Sequence, residues 1–335
     1  MILGVFGIPM ELPRTEAALR DVHSTSTEMR WVAAMALSRE DGPSRPRAVE
    51  ALAALTADPN EDVRAQAIEG LANHARAGAP VAVPPVTSWL DDPSDLVRCA
   101  ALSNADAFAL DAVPLADRLI ADDSPAARAT AARVLGLAGA RDRADAIAGL
   151  LDDSSQTVRQ EAALTLSRFG DERGVALASA MLEAGGEDAV EAAMALGQSG
   201  LSIAAGPLRG LLARRFAAVE VKAVAAAALS RAGDASGRAA IAEMLGSWRG
   251  RTRLAAACAI AALPSGGLAE HVAARIGKAD AHEASVLVQT LASIGEEAPR
   301  EALAAMRGAA MRGPLAPDIE EELREAIRAL GARDG

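Results

Sequence analysis

The sequence predicts an all-α fold, a solenoid (an α-α superhelix) of nine to ten stacked helical hairpins, on three observations. Alanine supplies 83 of the 335 residues, and alanine is the best helix former and lets helices approach closely. A short motif recurs at spacings of 30 to 34 residues. Each copy runs into an Ala/Leu-rich stretch that often ends at glycine, as in LSRFGD at 166–171 and LSRAGD at 229–234. At roughly 150 residues per domain, length alone would suggest two ordinary domains. Aromatics are only 2 % of the chain and tyrosine is absent, too few large side chains for two such cores. The expectation is a single solenoid over 1–335, with 1–14 as an N-terminal extension or cap, 15–317 as repeats and 318–335 as a C-terminal capping helix.

The motif reads DPNEDVRAQA from Asp58, DPSDLVRCAA from Asp92, DSPAARATAA from Asp123 and DSSQTVRQEAA from Asp153. It places a basic residue at Arg64, Arg98, Arg128 and Arg159. The frame extends back to Arg30 and forward to Ala189, Lys222, Arg253 and Ala284. Nine units follow from this, and DIEEELREAIRAL near the C-terminus reads as a tenth. Within a unit, RADAIAGLLDD (143–153) carries apolar residues at helical spacing and stops at Asp152-Asp153. A second helix starts near Ser155 and ends at Gly170-Asp171. The Asp/Ser/Pro cluster supplies an N-cap and a proline tolerated in the first turn, and the glycine suits a C-cap. A hairpin of about 31 residues cannot bury its apolar face alone, so neighbours must stack.

The pattern D-x-x-x-x-V-R-x-x-A-A-x-x-L followed by glycine resembles HEAT repeats, in the short bacterial form seen in phycobilin lyases, over roughly residues 15–330. The resemblance implies a ladder of hydrogen bonds between turn aspartates and arginines of the second helix in successive repeats. Asp58, Asp92, Asp122 or Asp123, and Asp153 would pair in it with Arg64, Arg98, Arg128 and Arg159. Each arginine follows its own aspartate by five or six residues, so the row reads as structural rather than as a phosphate-binding stripe. Ala189 and Ala284 should interrupt the ladder.

Charge and residue chemistry narrow the function. Lys+Arg 34 against Asp+Glu 45 gives a formal charge of −11, which disfavours nucleic acid and anionic membranes as partners. No uncharged apolar run approaches the roughly 20 residues that cross a bilayer. MILGVFGIPM at the start has no basic n-region and reads as a packed terminus, folded over Trp31 and Met35 or docked on another chain. Cys99 and Cys258 have no metal or redox spacing and read as buried or half-buried thiols in a reduced, cytoplasmic protein. His74 and His271 read as solvated surface histidines. His282-Glu283 is the one pair matching the His-Glu ligands of the HEAT-like deoxyhypusine hydroxylase, and one pair cannot hold its two irons. HEAT-like DNA glycosylases use aromatic and basic residues that are sparse here. No phosphate-binding glycine motif is present. No cofactor, no metal and no catalytic residue is expected.

The remaining surface is the expected concave face. Counting from the ladder position, sites +1, +2, +5 and +9 of the second helices should point away from the core. Leu137, Leu164, Val190, Met194, Val224, Leu254 and Cys258 would form an apolar groove along it, with Glu161, Arg168, Glu191, Gln198 and Arg231 as a polar rim. If the facing is off by one position, the apolar set is core instead. The expected function is a non-catalytic protein-interaction scaffold that binds a helix or extended segment of another protein. An accessory subunit of a phycobilin-lyase-like enzyme, or a structural module associating with itself through its ends, are the alternatives.

Overall fold

The computed structural model describes residues 12–81, 86–186, 188–313 and 315–332, and among these every regular element is helical. The apolar segment 1–10 lies outside the described residues. Two compact units are present, Met1–Glu161 and Ala162–Gly335.

In the first unit the helices come in pairs. These are α1 (Thr15–Asp21) with α2 (Thr27–Leu37), α3 (Arg45–Leu55) with α4 (Glu61–Arg76), α5 (Val86–Trp89) with α6 (Asp95–Ser103), and α7 (Ala112–Leu119) with α8 (Pro125–Leu137). Then come α9 (Ala144–Gly149), which tightens into a 3-10 turn at Leu150–Asp152, and α10 (Gln156–Phe169), which crosses the unit boundary. Second helices stack on one another: α2 on α4, α4 on α6 and α6 on α8. The polar turn residues do the local work. Ser26, Asn60 and Ser124 accept the backbone N–H of Met29, Val63 and Ala126, satisfying donors that a helix start leaves without partners. Leu37, Leu52, Ile68, Leu71, Leu102, Leu135 and Ile147 are fully buried and form the core.

The second unit continues with α11 (Glu172–Ala184) and α12 (Asp188–Gln198), α13 (Ala205–Ala213) and α14 (Val219–Arg231), α15 (Ala235–Leu245) and α16 (Gly250–Ala262). The last pairs are α17 (Ala269–Ile276) with α18 (Ala281–Glu297) and α19 (Pro299–Met311) with α20 (Pro317–Gly331). Here α12, α14, α16 and α18 stack in series, and α20 lies against α18 and α19. Alanine sets the spacing: in α14 every residue from Ala223 to Ser230 is buried. Two glycines close the approach further. A Cβ on Gly197 would stand 2.4 Å from Ala228 Cβ, and one on Gly237 would stand 2.3 Å from Leu229 Cβ. Either contact would push helices apart, so the small residues are a packing requirement rather than a composition accident.

Candidate protein-interaction site

The ladder arginines are consumed by the fold. Arg64 donates from Nε and one terminal nitrogen to both carboxylate oxygens of Asp92, at 2.9 and 2.7 Å, while its other terminal nitrogen reaches the carbonyls of Asp58 and Pro59. The same arrangement joins Arg30 to Asp58, Arg98 to Asp122 and Arg128 to Asp153. Each arginine therefore takes the main-chain carbonyl of its own turn and the carboxylate of the next one. The carboxylate partner thus lies in the next unit, as a ladder between successive repeats requires, while the aspartate six residues before Arg64, Arg98, Arg128 or Arg159 gives that arginine its carbonyl. The same geometry assigns the carboxylate role to Asp122, with Asp123 offering only its carbonyl. The aspartate is equally committed, since Asp58, Asp92, Asp122 and Asp153 each also accept the N–H two residues on. Arg159 grips the carbonyls of Asp153 and Ser154 in the same way. Bidentate, half-desolvated pairs of this kind are the strong ones.

Burial raises the carboxyls of Asp58 and Asp122, but the arginine and backbone N–H hydrogen bonds outweigh it and hold both below the ordinary range. Asp153, hydrogen-bonded to Arg128 and to the Ser155 N–H, is lowered to about 2. In the second unit alanine at 189 and 284 has nothing to donate. Arg253 forms a rung there with Glu283 at 2.8 and 2.6 Å and with the carbonyls of Ser247 and Trp248.

The residues proposed for the groove separate into two groups. Leu164 and Val224 are buried, at 2 % and 7 % exposure, inside the apolar core of the second unit, and Val190 and Met194 pack against it. Those four are corrected to core or core-edge residues. Alanine neighbours let the stacked helices come close enough to cover large side chains at the +1, +2 and +5 positions. Leu254 is half-buried, and Leu137 stands out at 72 % exposure. Of the rim, Glu191, Gln198 and Arg231 are exposed, whereas Glu161 and Arg168 are half-buried. Arg231 is paired with Glu297 at 2.9 Å. The +9 position is the one that faces solvent most consistently, because it lies opposite the ladder on the helix circumference.

Residues weighed for chemistry are tied up structurally. His74 is buried rather than solvated, its Nε2 within 2.9 Å of the Leu37 carbonyl; the carbonyl end of α2 needs a partner, and the ring supplies it. His271 is exposed. Glu283, beside exposed His282, is 3 % exposed and held by both Arg253 and Arg275, so its oxygens are engaged. Cys99 is half-buried with Thr130 donating to its sulfur, and Cys258 is exposed rather than buried. Among the described residues, no group of three or more His, Cys, Asp or Glu side chains is placed to hold a metal ion. No described helix is long and apolar enough to cross a membrane.

A cleft of about 740 Å³ opens in the second unit between the end of α12, the start of α13 and the end of α14. Its floor includes Leu196, Leu201, Leu208 and Leu229, and its walls carry Gln198, Arg209, Arg231 and Asp234. Arg209 and Asp234 close one side as an ion pair at 2.8 Å. Sequence reasoning placed Gln198 and Arg231 on a polar rim and missed the cleft between them, because part of its lining comes from α13 and from turn residues such as Leu201 and Asp234, outside the repeat frame. Also missed were Phe216 and Trp248, 93 % and 84 % exposed. A signal existed: Phe216 stands six residues before Lys222 and Trp248 five before Arg253, on the turns where the first unit carries its ladder aspartates.

Comparison with known proteins places this architecture. The family model for HEAT repeats matches residues 12–105 and 112–197, just over half of the chain. Among solved structures, YibA of Escherichia coli is 22 % identical, with a TM-score of 0.47, covering 65 % of this chain and 81 % of its own. An engineered protein is 18 % identical, with a TM-score of 0.40, covering 95 % and 98 % respectively. The complex of CpcE and CpcF of phycocyanin lyase from Nostoc sp. PCC7120 is 21 % identical, with a TM-score of 0.42, covering 65 % and 94 %. No curated protein matches the chain. With its hairpins, its ladder of arginines and its matched segments, this chain belongs to the HEAT-repeat family, an all-α superhelix of helical hairpins.

Proposed function

We propose that the chain is a non-catalytic protein-interaction scaffold, and that a segment of a partner protein seats in the cleft between α12, α13 and α14. The observation that carries this reading is the convergence of Gln198 and Arg231 on one apolar-floored cleft of about 740 Å³. Both come from the +9 position of successive second helices. A floor of leucines gives an apolar side chain somewhere to go, and the polar walls fix its orientation, the usual division of labour in a recognition pocket. The absence of catalysis is part of the proposal. It is supported by the engagement of Glu283 by two guanidinium groups and of His74 by a backbone carbonyl.

The test places a photo-crosslinking residue, p-benzoylphenylalanine, at Gln198 and irradiates the protein in lysate of its source cells. One dominant cross-linked protein is expected, lost when Arg231→Glu is added, with the melting temperature within about 2 °C of wild type because both positions are exposed. A partner that is captured equally by the Arg231→Glu variant would place binding elsewhere. Diffuse labelling of many proteins would remove the cleft from consideration.

A further inference from the structure

Beyond that cleft, we propose that the α13–α14 and α15–α16 turns form a second docking site, for an acidic peptide segment carrying an apolar anchor residue. It shares no lining residue with the cleft, and it stands whether or not the cleft reading does.

The site begins with an anomaly of burial. The chain holds four phenylalanines and three tryptophans. Trp89 and Phe169 are buried, and Trp31 and Phe108 are half-buried. Phe216 and Trp248 are almost wholly exposed, on the turns of consecutive hairpins. Their turns are neighbours, because α14 packs on α16 and Arg251 on α16 reaches Glu220 on α14 at 2.7 Å. Leaving two large aromatic rings in water forgoes the stabilisation their burial would give, and such residues with arginine are the side chains that carry binding energy at interfaces.

Each ring is paired with an arginine. The Arg215 guanidinium lies 5.6 Å from the centre of Phe216 and that of Arg249 lies 5.0 Å from the centre of Trp248. A guanidinium stacked on a ring keeps its edge N–H groups free to fork onto a carboxylate, and the stacking fixes its orientation in advance. The two turns are themselves anchored. Arg253 holds the carbonyls of Ser247 and Trp248, and Arg214 donates to the Glu183 carbonyl at 2.7 Å. Rings and arginines therefore sit on braced backbone, which lowers the ordering cost of binding.

Beside Phe216 lies a hollow of about 500 Å³, lined by Leu182, Leu211, Ala217 and Val221 with Arg214 and Arg215 at its mouth. It is large enough for one apolar side chain of a ligand. Charge decides what the rest of that ligand must be. Residues 214–220 and 246–251 carry Arg214, Arg215, Arg249 and Arg251 against one carboxylate, Glu220, which Arg251 neutralises. In a chain whose formal charge is −11, this is a local basic edge with an aromatic face. Carboxylates spaced along a peptide meet the arginines while one apolar residue enters the hollow, and complementary charge speeds encounter as well as selecting the partner. Nucleic acid asks for a longer cationic track than two turns provide, and the acidic remainder of the protein opposes a polyanion.

The test uses a fluorescein-labelled dodecapeptide of Asp and Glu with a central Leu-Phe pair, titrated into full-length protein while anisotropy is read. Saturable binding is expected, weakening as salt rises. Replacing the Leu-Phe pair by Ala-Ala should cost at least fivefold, and a Lys version of the peptide should not bind. Phe216→Ala with Trp248→Ala should weaken binding at least tenfold, and Arg215→Glu with Arg249→Glu should abolish it, both with unchanged far-UV circular dichroism. A 5-fluorotryptophan signal assigned by Trp248→Phe should shift on binding, which locates the peptide independently of affinity. Arg231→Glu should leave all of this intact, so failure here and failure of the cleft are separable. No binding by wild type up to millimolar peptide would overturn the proposal. So would equal binding by both double variants, tighter binding of a twelve-residue oligothymidylate, or self-association that the Phe216/Trp248 variant abolishes.

Discussion

The two units solve the same stacking problem by different means. In the first, four consecutive polar rungs run from Arg30–Asp58 to Arg128–Asp153, each carboxylate shared between an arginine and a turn N–H. In the second, alanine occupies two ladder positions and helices close on each other through Ala and Gly instead. A turn that must deliver an aspartate to its neighbour is committed to the fold. A turn relieved of that duty can turn outward, and at the ladder-aspartate position before α14 stands Phe216. The first unit's turns are built for registration; the second unit's turns are where recognition has room to arise.

Four substitutions or conditions would break or sharpen this contrast. The largest effect should come from Leu164→Glu, which puts a carboxylate among alanines at a site only 2 % exposed. A loss of about 4 kcal/mol is expected from lost packing plus an unpaired buried charge, read as the urea-unfolding midpoint. If that variant does not fold, Leu164→Ala should still cost about 3 kcal/mol. A nearly neutral result would return Leu164 to an exposed face.

Next, Asp92→Asn removes the negative charge and one of the two acceptor oxygens that hold Arg64, whose side chain is 14 % exposed. About 2 kcal/mol should be lost, since one partly desolvated charge is left without its counter-charge. The exposed Glu220–Arg251 pair of the second unit makes the control: Glu220→Gln should cost less than about 0.5 kcal/mol. Equal losses at the two sites would mean the ladder is no stronger than a surface pair.

Acid should act on the first unit in a defined window. Asp58, Asp122 and Asp153 titrate below their unfolded counterparts, Asp153 at about 2. Their contribution is therefore complete above about pH 4 and is lost as pH falls through the folded values. Amide protection across α2 to α8, corrected for the intrinsic pH dependence of exchange, should fall between about pH 4 and 2, and Asp153→Asn should flatten that response. The effect per rung should be below that of Asp92→Asn, because a carboxyl that titrates near 2 is only partly protonated at the acid end of this window. A loss of protection that persists unchanged in the Asp153→Asn variant would assign the acid sensitivity to other groups.

The smallest effect belongs to Phe216→Ser with Trp248→Ser. Both rings are exposed and each gains only a surface cation–π contact, so thermal stability should stay within about 1 kcal/mol of wild type. A larger fall would show that these rings hold their turns together, and the docking site would need another explanation.

Much of the fold was legible because its cause is local. A proline or serine beside an aspartate starts a helix, glycine ends it, and Asp-to-Arg spacing repeats because each hairpin must meet an identical neighbour. The hairpins followed from that periodicity, and the family and its ladder residues from the resemblance that the motif carries. The facing of the second helices did not. Periodicity says which side chains share a stripe, but whether a stripe is covered depends on how near the next helix lies. That distance is set jointly by alanines and by glycines such as Gly197, far apart in sequence. So Leu164 and Val224 read as a groove and are core, while His74 read as solvated and is buried against the Leu37 carbonyl.

By itself, then, the sequence determined the repeat, its register and the constant spacing of the ladder arginines, because these recur at equivalent positions of successive units; which carboxylate each arginine meets, Asp122 rather than Asp123 for Arg98, was left to the structure. Only the tertiary structure decided which faces remain open, that Gln198 and Arg231 share a cleft, and that Phe216 and Trp248 stand outward on adjoining turns. Exposure is a property of how neighbouring helices approach, and no single stretch of chain contains it.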